Sequence, residues 1–555
     1  MLKLQQLIII LFITSSVLFG QSHSLQNYQW GIVPTDENIV GRHENSFIEF
    51  KGKFYLIGGR GINPVNVYDP QTNKWETKSK SPFEMHHFQA VTYSDAIYLV
   101  GTMTGKYPNE TPVENIWLYY PETDTWEKGA DIPANRRRGS AGTVVFNDKI
   151  YLICGIQLGH TSGTCPWVDS YDFKTGKWEI LPDAPHIRDH FPAICVDGKI
   201  YCLGGRNTSF HEPDFAAFFK ATITDVDCYD IKRKTWTTLP EKLPIGTAAG
   251  SLVLMKNKIL YIGGESGQAR AHSETQAMDL KTGKWEQLNP LSVGRHGTSA
   301  ILYHDKIYLA AGSGTRGGSN FKTLQVFSND LGWKSLFNGK NLDGWSVKCL
   351  SADREKKFWT VDNGTILCNS LNDSTHNYVW LMNDQEFGNF ELKLKFQAFK
   401  SAPGNKNSGV QVRSRYNENN LAPEGFWLDG PQVDIDMPST WRTGFIYDET
   451  WEEKRWIYPS LKNSFIDKMY APKTVIFNFE DGKDQWNDLV IVCNGNKINT
   501  YLNNVPVAEY DGEGILNNEA HVKRNVGSSG HIALQLHVKS PIKIRYKDIF
   551  VRELK

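Results

Sequence analysis

The chain lacks an excess of either charge. Its 555 residues hold 61 Lys and Arg against 61 Asp and Glu, a formal net charge of zero. A nucleic-acid partner selects a basic face, so none is expected. The one tight basic run, Arg136-Arg137-Arg138, reads as a solvated loop ahead of a strand. Cysteine is scarce and scattered, eight residues with no CxxC pair, so zinc sites are not suggested. Cys154 and Cys202 fall inside apolar runs and read as small buried hydrophobes. A chain of this length does not need disulfides to fold. After the first twenty residues no apolar run is long enough to span a bilayer, and no transmembrane anchor is expected. Oligomeric state is left open.

The first twenty residues differ. Lys3 precedes an apolar stretch that begins at Leu7 and reaches Phe19, the pattern of a signal peptide over 1–20 with cleavage near Gly20-Gln21. No cysteine follows closely, so no lipid anchor is expected. The reading is an exported protein, periplasmic or extracellular.

What the chain does have is a repeat. Trp75, Trp126, Trp178, Trp236, Trp285 and Trp333 follow one another at gaps of 51, 52, 58, 49 and 48 residues. Seven residues before each stands Tyr68, Tyr119, Tyr171, Tyr229, Met278 or Val326. Upstream lie apolar runs ending in small residues, such as FYLIGG at 54–59, IYCLGG at 200–205 and ILYIGG at 259–264. β-Branched and aromatic residues followed by Gly mark buried strands with close backbone approach, and FKTGKW at 173–178 and LKTGKW at 280–285 supply hairpin turns. A fixed period of this size points to stacked units. The units resemble Kelch repeats, which implies a six-bladed β-propeller over 28–333. Tyr28-Gln29-Trp30 resembles a last strand without the strands before it and is read as completing the sixth blade, with Trp333 as its rival. One residue column holds Arg42, Arg138, Arg188 and Arg295. That column reads either as a ring able to bind an anionic or polyhydroxylated ligand, or as caps on backbone carbonyls.

Residues 334–555 have another texture: alternating strands, Asn-rich turns and few helical patterns. This suggests two sheets packed as a β-sandwich of the jelly-roll kind, so the chain is expected to be all-β. LFNGKNLDGW at 336–345, NSGVQVRS at 407–414, GPQVDIDM at 430–437, TGFIYDE at 443–449 and GHIALQLH at 530–537 resemble the 3-keto-disaccharide hydrolase domain. That family is also described as 3-keto-glucoside 1,2-lyase and 3-keto-2-hydroxy-glucal hydratase, concanavalin-like and distantly similar to glycoside hydrolase family sixteen. The resemblance implies a carbohydrate substrate and a glycoside-cleaving hydrolase or lyase.

In an extended strand Gln432, Asp434 and Asp436 share one face, and Val433 and Ile435 the other. Two close acids separate in pKa, leaving one protonated and one ionised. Gln432 is no nucleophile, which disfavours double displacement. A 3-keto sugar offers elimination instead: a base removes the C2 proton, an enolate forms and the aglycone leaves C1. Asp434 or Asp436 is read as the base, Tyr447 as a proton donor and His537 as an acid. Arg413, Gln432, Gln535, Glu449, Arg455 and Trp456 are read as substrate-binding, with Trp441 and Trp451 as further stacking candidates. Asp434, Asp436 and Glu449 could also hold a divalent cation, which would stabilise the enolate directly. Two rival readings remain: a non-catalytic glycan-binding protein, and a protein-interaction propeller with an accessory lectin domain.

Overall fold

The computed structural model describes residues 24–35, 39–400, 406–422, 425–437, 441–460, 466–472, 477–479 and 485–554. The expected signal peptide lies outside them. Among the described residues no helix is long and apolar enough to cross a membrane, and the eight cysteines are unpaired thiols.

Six four-stranded antiparallel sheets occupy the first half of the chain. Each apolar run forms the second strand of its sheet, as Lys149–Ile153 does between Gly142–Phe146 and Val168–Asp172. The glycines that follow are needed. Gly58 has φ of 72°, and a Cβ there would stand 2.6 Å from the Met85 carbonyl oxygen of the next blade. The Tyr and Trp columns are cross-strand partners, Tyr68 with Trp75 and Tyr119 with Trp126. Their ring centroids lie 5.1 and 5.0 Å apart, a favourable tilted pairing. In the FKTGKW turn Asp172 accepts backbone N–H groups from Lys174 and Thr175, both at 2.9 Å.

The sixth blade is composite. Its outermost strand is Gln29–Val33, paired antiparallel with Leu324–Ser328. Trp30 is fully buried, with its ring 5.2 Å from Phe327. Trp333 lies outside the blade and donates its indole N–H to the Trp30 carbonyl at 3.2 Å. The last member of the 50-residue period is therefore not a blade tryptophan, because the chain's other end supplies that strand.

At the axis one residue per blade has positive φ: Glu44 (57°), His87 (56°), Ser140 (52°), His190 (50°), Ala249 (51°) and Gly297 (69°). Their backbones form a circle. His87, Ser140, His190, Ala249 and Gly297 each donate N–H to the carbonyl of the preceding member, and Asn45 N–H closes onto the Gly297 carbonyl.

The arginine column is not a ligand ring. Arg42, Arg138, Arg188 and Arg295 are at most 1% exposed. Arg42 donates to the carbonyls of Val40, Gly58 and Pro64. Arg138 donates to those of Cys154, Arg136 and Leu152. Arg188 donates to those of Cys202, Gly204 and Asp225, and Arg295 to those of Ala311 and Thr323. Five fixed donors per guanidinium suit carbonyls left unpaired where the strands end.

The second half is two antiparallel sheets facing each other across one core. The back sheet runs through Lys543–Glu553, Phe390–Ala398, Asn487–Asn494, Lys497–Leu502 and Val505–Asp511. The front sheet runs through Trp345–Cys349, Val379–Phe387, Gly530–Leu536, Lys406–Ala422, Pro431–Met437, Ile446–Asp448 and Arg455–Tyr458. Val379, Leu381, Leu534, Val410, Val433 and Ile435 fill the space between the sheets.

The propeller grips the back sheet. Ile32, Val293 and Phe321 pack with Val490, Val492, Tyr501 and Leu554. Asn504 donates to the Ala271 carbonyl and accepts from Gly294 N–H. Arg552 and Glu391 form a buried pair (2.7 Å) that also bonds both polar backbone groups of Ile32. The outer face of the front sheet is left to other work.

Candidate functional site

Because successive side chains alternate, the strand that buries Val433 and Ile435 turns Gln432, Asp434 and Asp436 to the outer face. Neighbouring strands add to it in register: Asp434 opposes Gly409, which opposes Gln535, which opposes Trp380. The three polar residues and Gln535 are all at most 2% exposed. Gly409 has a reason to be glycine. A Cβ there would stand 2.4 Å from Gln432 Cδ, so the missing side chain lets the Gln432 amide lie across the strand. Gln432 then donates to Asp434 Oδ1 (2.8 Å) and reaches Gln535 Oε1 (3.3 Å). Gln535 donates to Glu449 Oε1 (3.1 Å). Two buried carboxyl groups are thus joined through two amides.

Burial pushes Asp434 up to about 8, aided by the Asp436 and Glu449 charges and opposed by the Gln432 hydrogen bond and Arg442. Burial likewise lifts Glu449 to about 7 against the hydrogen bond from Gln535. Both acids sit where proton exchange near neutral pH is easy. Tyr447, cross-strand from Gln432, is pushed up by burial and by the Glu449 and Asp434 charges, so its hydroxyl stays protonated.

A stability consequence follows. An acid whose folded pKa exceeds its unfolded value of about 4 binds more protons in the folded state, so folding weakens as pH rises between the two values. The thermal midpoint is expected to fall from about pH 4 to about pH 8, the range set by Asp434. The fall should shrink in an Asp434→Asn, Glu449→Gln double variant followed by calorimetry.

Some sequence candidates take other roles. Both oxygens of Asp436 are held by Arg442 Nε and Nη2 at 2.8 Å, so neither is free to take a proton from a substrate. Arg413 does not face the site. A bulge between Gln411 and Ser414, with φ of 50° at Arg413, breaks the alternation. Its guanidinium binds the carbonyls of Gly388, Gly495 and Gly527 and the side chain of Asn389 instead. Arg455 ends on Glu453 at the rim (3.1 Å). Trp456 is 3% exposed and belongs to the core between the sheets, so it is no sugar platform; Trp441 packs on the same core. Asp434, Asp436 and Glu449 do not converge as a cation site, each being bonded to a separate partner.

His537 does reach the face. Its Nε2 meets the Tyr378 hydroxyl (3.0 Å) and its Nδ1 the Val538 carbonyl (3.1 Å), and burial lowers its pKa. Tyr378 introduces an aromatic wall that the sequence reading missed. It stacks on Trp380 (5.4 Å, 8°) and meets Trp427 edge-on (4.8 Å). Trp427 donates to the Glu449 carbonyl (2.6 Å), and Lys454 lies over both Trp427 and Trp451. The alternation in YVWLM at 378–382 was the available signal for Tyr378 and Trp380.

Residues 332–552 match the family model of a 3-keto-alpha-glucoside-1,2-lyase-like domain. Residues 129–312 match that of the KLHDC2/KLHL20/DRC7 Kelch-repeats domain. The chain joins a Kelch propeller to a 3-keto-disaccharide hydrolase-like domain. Among relatives, the Kelch-like protein terF of Aspergillus terreus is 28% identical over 336 residues, 58% of this chain and 68% of that protein. Kelch-like protein 40 of Xenopus tropicalis is 23% identical over 210 residues, 38% of this chain; the chain spans only 33% of that relative's length. A solved structure titled "Structure of YjhT" aligns at 15% identity and a TM-score of 0.43, over 53% of this chain and 96% of that one.

Within the lyase-like domain, Gly409→Ala should push the Gln432 amide off Gln535. The expected result is a loss of about 1–3 kcal/mol of stability in denaturant unfolding, the cost of overpacking, with an unchanged far-UV circular dichroism spectrum, since only one methyl group enters the sheet.

Proposed function

We propose that the chain is an exported carbohydrate-active enzyme whose lyase-like domain cleaves 3-keto-glycosides by elimination. The carrying observation is the pair of buried acids, Asp434 and Glu449, bridged by Gln432 and Gln535. The N-terminal apolar segment supports export.

In this reading the unprotonated Asp434 takes the C2 proton of a sugar stacked against Tyr378 and its aromatic neighbours. The electron pair of the broken C–H bond moves into an enolate whose oxygen, at C3, accepts a hydrogen bond from Tyr447. Collapse of the enolate restores the C3 carbonyl, forms the C1–C2 double bond and expels the aglycone oxygen, which takes its proton from Glu449. The roles run against the resting order of the two acids: Asp434 keeps its proton up to about pH 8 and Glu449 up to about 7, so the reactive form, with Asp434 ionised and Glu449 protonated, is the minor one near neutral pH. Water then adds to the enone if the domain also hydrates. Oxyanion stabilisation by a single well-placed donor is worth roughly 10²–10³ in rate, which sets the demand on Tyr447.

The test is to incubate the full-length protein with a 3-keto-glucoside of chromogenic aglycone in deuterated water. Aglycone release with solvent deuterium entering C2 of recovered substrate or hydrated product is the expected result. Tight binding of the same compound without release would sink the reading and leave a glycan-binding protein.

A further inference from the structure

The densest set of metal-ligating side chains lies far from the lyase-like site, at the propeller axis. His87, His160 and His190 are 5–6% exposed, and one ring nitrogen of each lies within 4.8 Å of those of the other two. Their ring centroids are 4.9–5.4 Å apart. His87 and His190 belong to the axial circle of blades two and four. His160 comes from blade three, on the turn between Ile156–Leu158 and Ser162–Thr164.

The hydrogen bonds around the three rings fix which nitrogen is left over. His160 Nδ1 meets Glu110 Oε2 (3.0 Å), and His190 Nδ1 meets Asp189 Oδ1 (2.6 Å). Both are therefore donors to a carboxylate, and the lone pair is on Nε2. His86 Nε2 meets the Gly105 carbonyl (3.1 Å) and must donate, so its Nδ1 accepts from His87 Nδ1 (2.6 Å). His87 too then carries its lone pair on Nε2. His190 Nε2 is buried with no hydrogen-bond partner among the described residues, and His87 Nε2 faces Glu44 Oε2 at 3.4 Å. A lone pair turned toward a buried carboxylate repels it unless a cation lies between. Imidazoles whose Nδ1–H is held by a carboxylate are the usual orientation of metal-bound histidine.

The charges agree. Glu110 pairs with Arg60, and Glu265 with Arg206. Glu44 and Asp189 have no Lys or Arg within salt-bridge distance among the described residues, only histidines. Two buried carboxylates with no Lys or Arg partner leave a deficit of positive charge that a dication fills. Glu44, His87 and His190 also line an axial cavity of about 300 Å³.

We propose that the propeller binds one divalent transition-metal ion, of the zinc type, through His87, His160 and His190, with Glu44 beside the remaining position. Metal–nitrogen bonds of about 2.0–2.1 Å in a tetrahedral centre place ligand nitrogens about 3.4 Å apart, so the rings close inward on the ion by small side-chain rotations. Three histidines with one open position are the ligand set of catalytic rather than structural zinc.

The test uses full-length protein stripped with chelator and offered Co²⁺ alone. One equivalent should bind, with the visible bands of a four- or five-coordinate cobalt centre. His160→Ala and His190→Ala should each lose it, and Glu110→Gln should weaken binding 10–100-fold through the lost orientation of His160. Asp434→Asn, in the other domain, should bind as the parent does. Should a histidine variant fail to melt cooperatively, the Glu110→Gln affinity decides. No stoichiometric uptake, undiminished uptake in both histidine variants, unchanged affinity in Glu110→Gln, or loss confined to Asp434→Asn would each overturn the proposal.

Discussion

Asp434→Asn is expected to lower kcat on a 3-keto-glucoside by about 10²–10⁴-fold, the usual worth of a positioned general base, with little change in KM. The side chains are nearly the same size, and Asn keeps an oxygen to accept from Gln432 Nε2, so the bridge to Gln535 survives while the proton acceptor is gone. Solvent deuterium entry at C2 should fall with kcat. A variant that keeps full turnover would remove Asp434 from the chemistry and move the base to Glu449, the other lifted acid on the bridge. The same substitution should make the protein more stable at pH 8, because a carboxylate that resists ionisation when buried has been replaced by a neutral amide.

The second large effect concerns the joint between the halves. Arg552→Ala should destabilise the protein by about 3–5 kcal/mol, the cost of leaving one member of a buried ion pair alone. Glu391 is fully buried, and Arg552 is its ion-pair partner. Gly31 lets that arginine pass, since a Cβ there would stand 2.5 Å from its Nε. Denaturant unfolding should show a lower midpoint, and the propeller and sandwich transitions should separate. A double variant, Glu391→Gln with Arg552→Met, should recover part of the loss because no bare charge remains. An unchanged midpoint in Arg552→Ala would mean that water reaches Glu391.

What could be read in the sequence was local. The Tyr and Trp columns announce cross-strand pairs seven residues apart, and the alternation of Gln432 to Asp436 needs only the period of a strand. What could not be read depends on depth or on closure. An arginine column looks the same whether it points at ligand or at carbonyls; only the burial of Arg42 and Arg295 separates the two. Arg413 leaves its face because of a bulge at a residue that is not glycine, and nothing nearby in NSGVQVRS marks it. Trp333 keeps the period while Trp30 fills the blade, because a circle pairs the two ends of its own chain. The three histidines stand in different blades, and His87 meets His190 only because the blades turn about a common axis. The absence of CxxC spoke to cysteine sites alone.

The strand Gln29–Val33 has a consequence for the order of events in the cell. Its partner Leu324–Ser328 is made some three hundred residues after it, and Glu391 and Arg552, which hold Ile32, later still. The strand must therefore wait, unpaired, until those residues are made. A protein built this way is protected from premature closure but exposed to proteases and to mispairing while it waits.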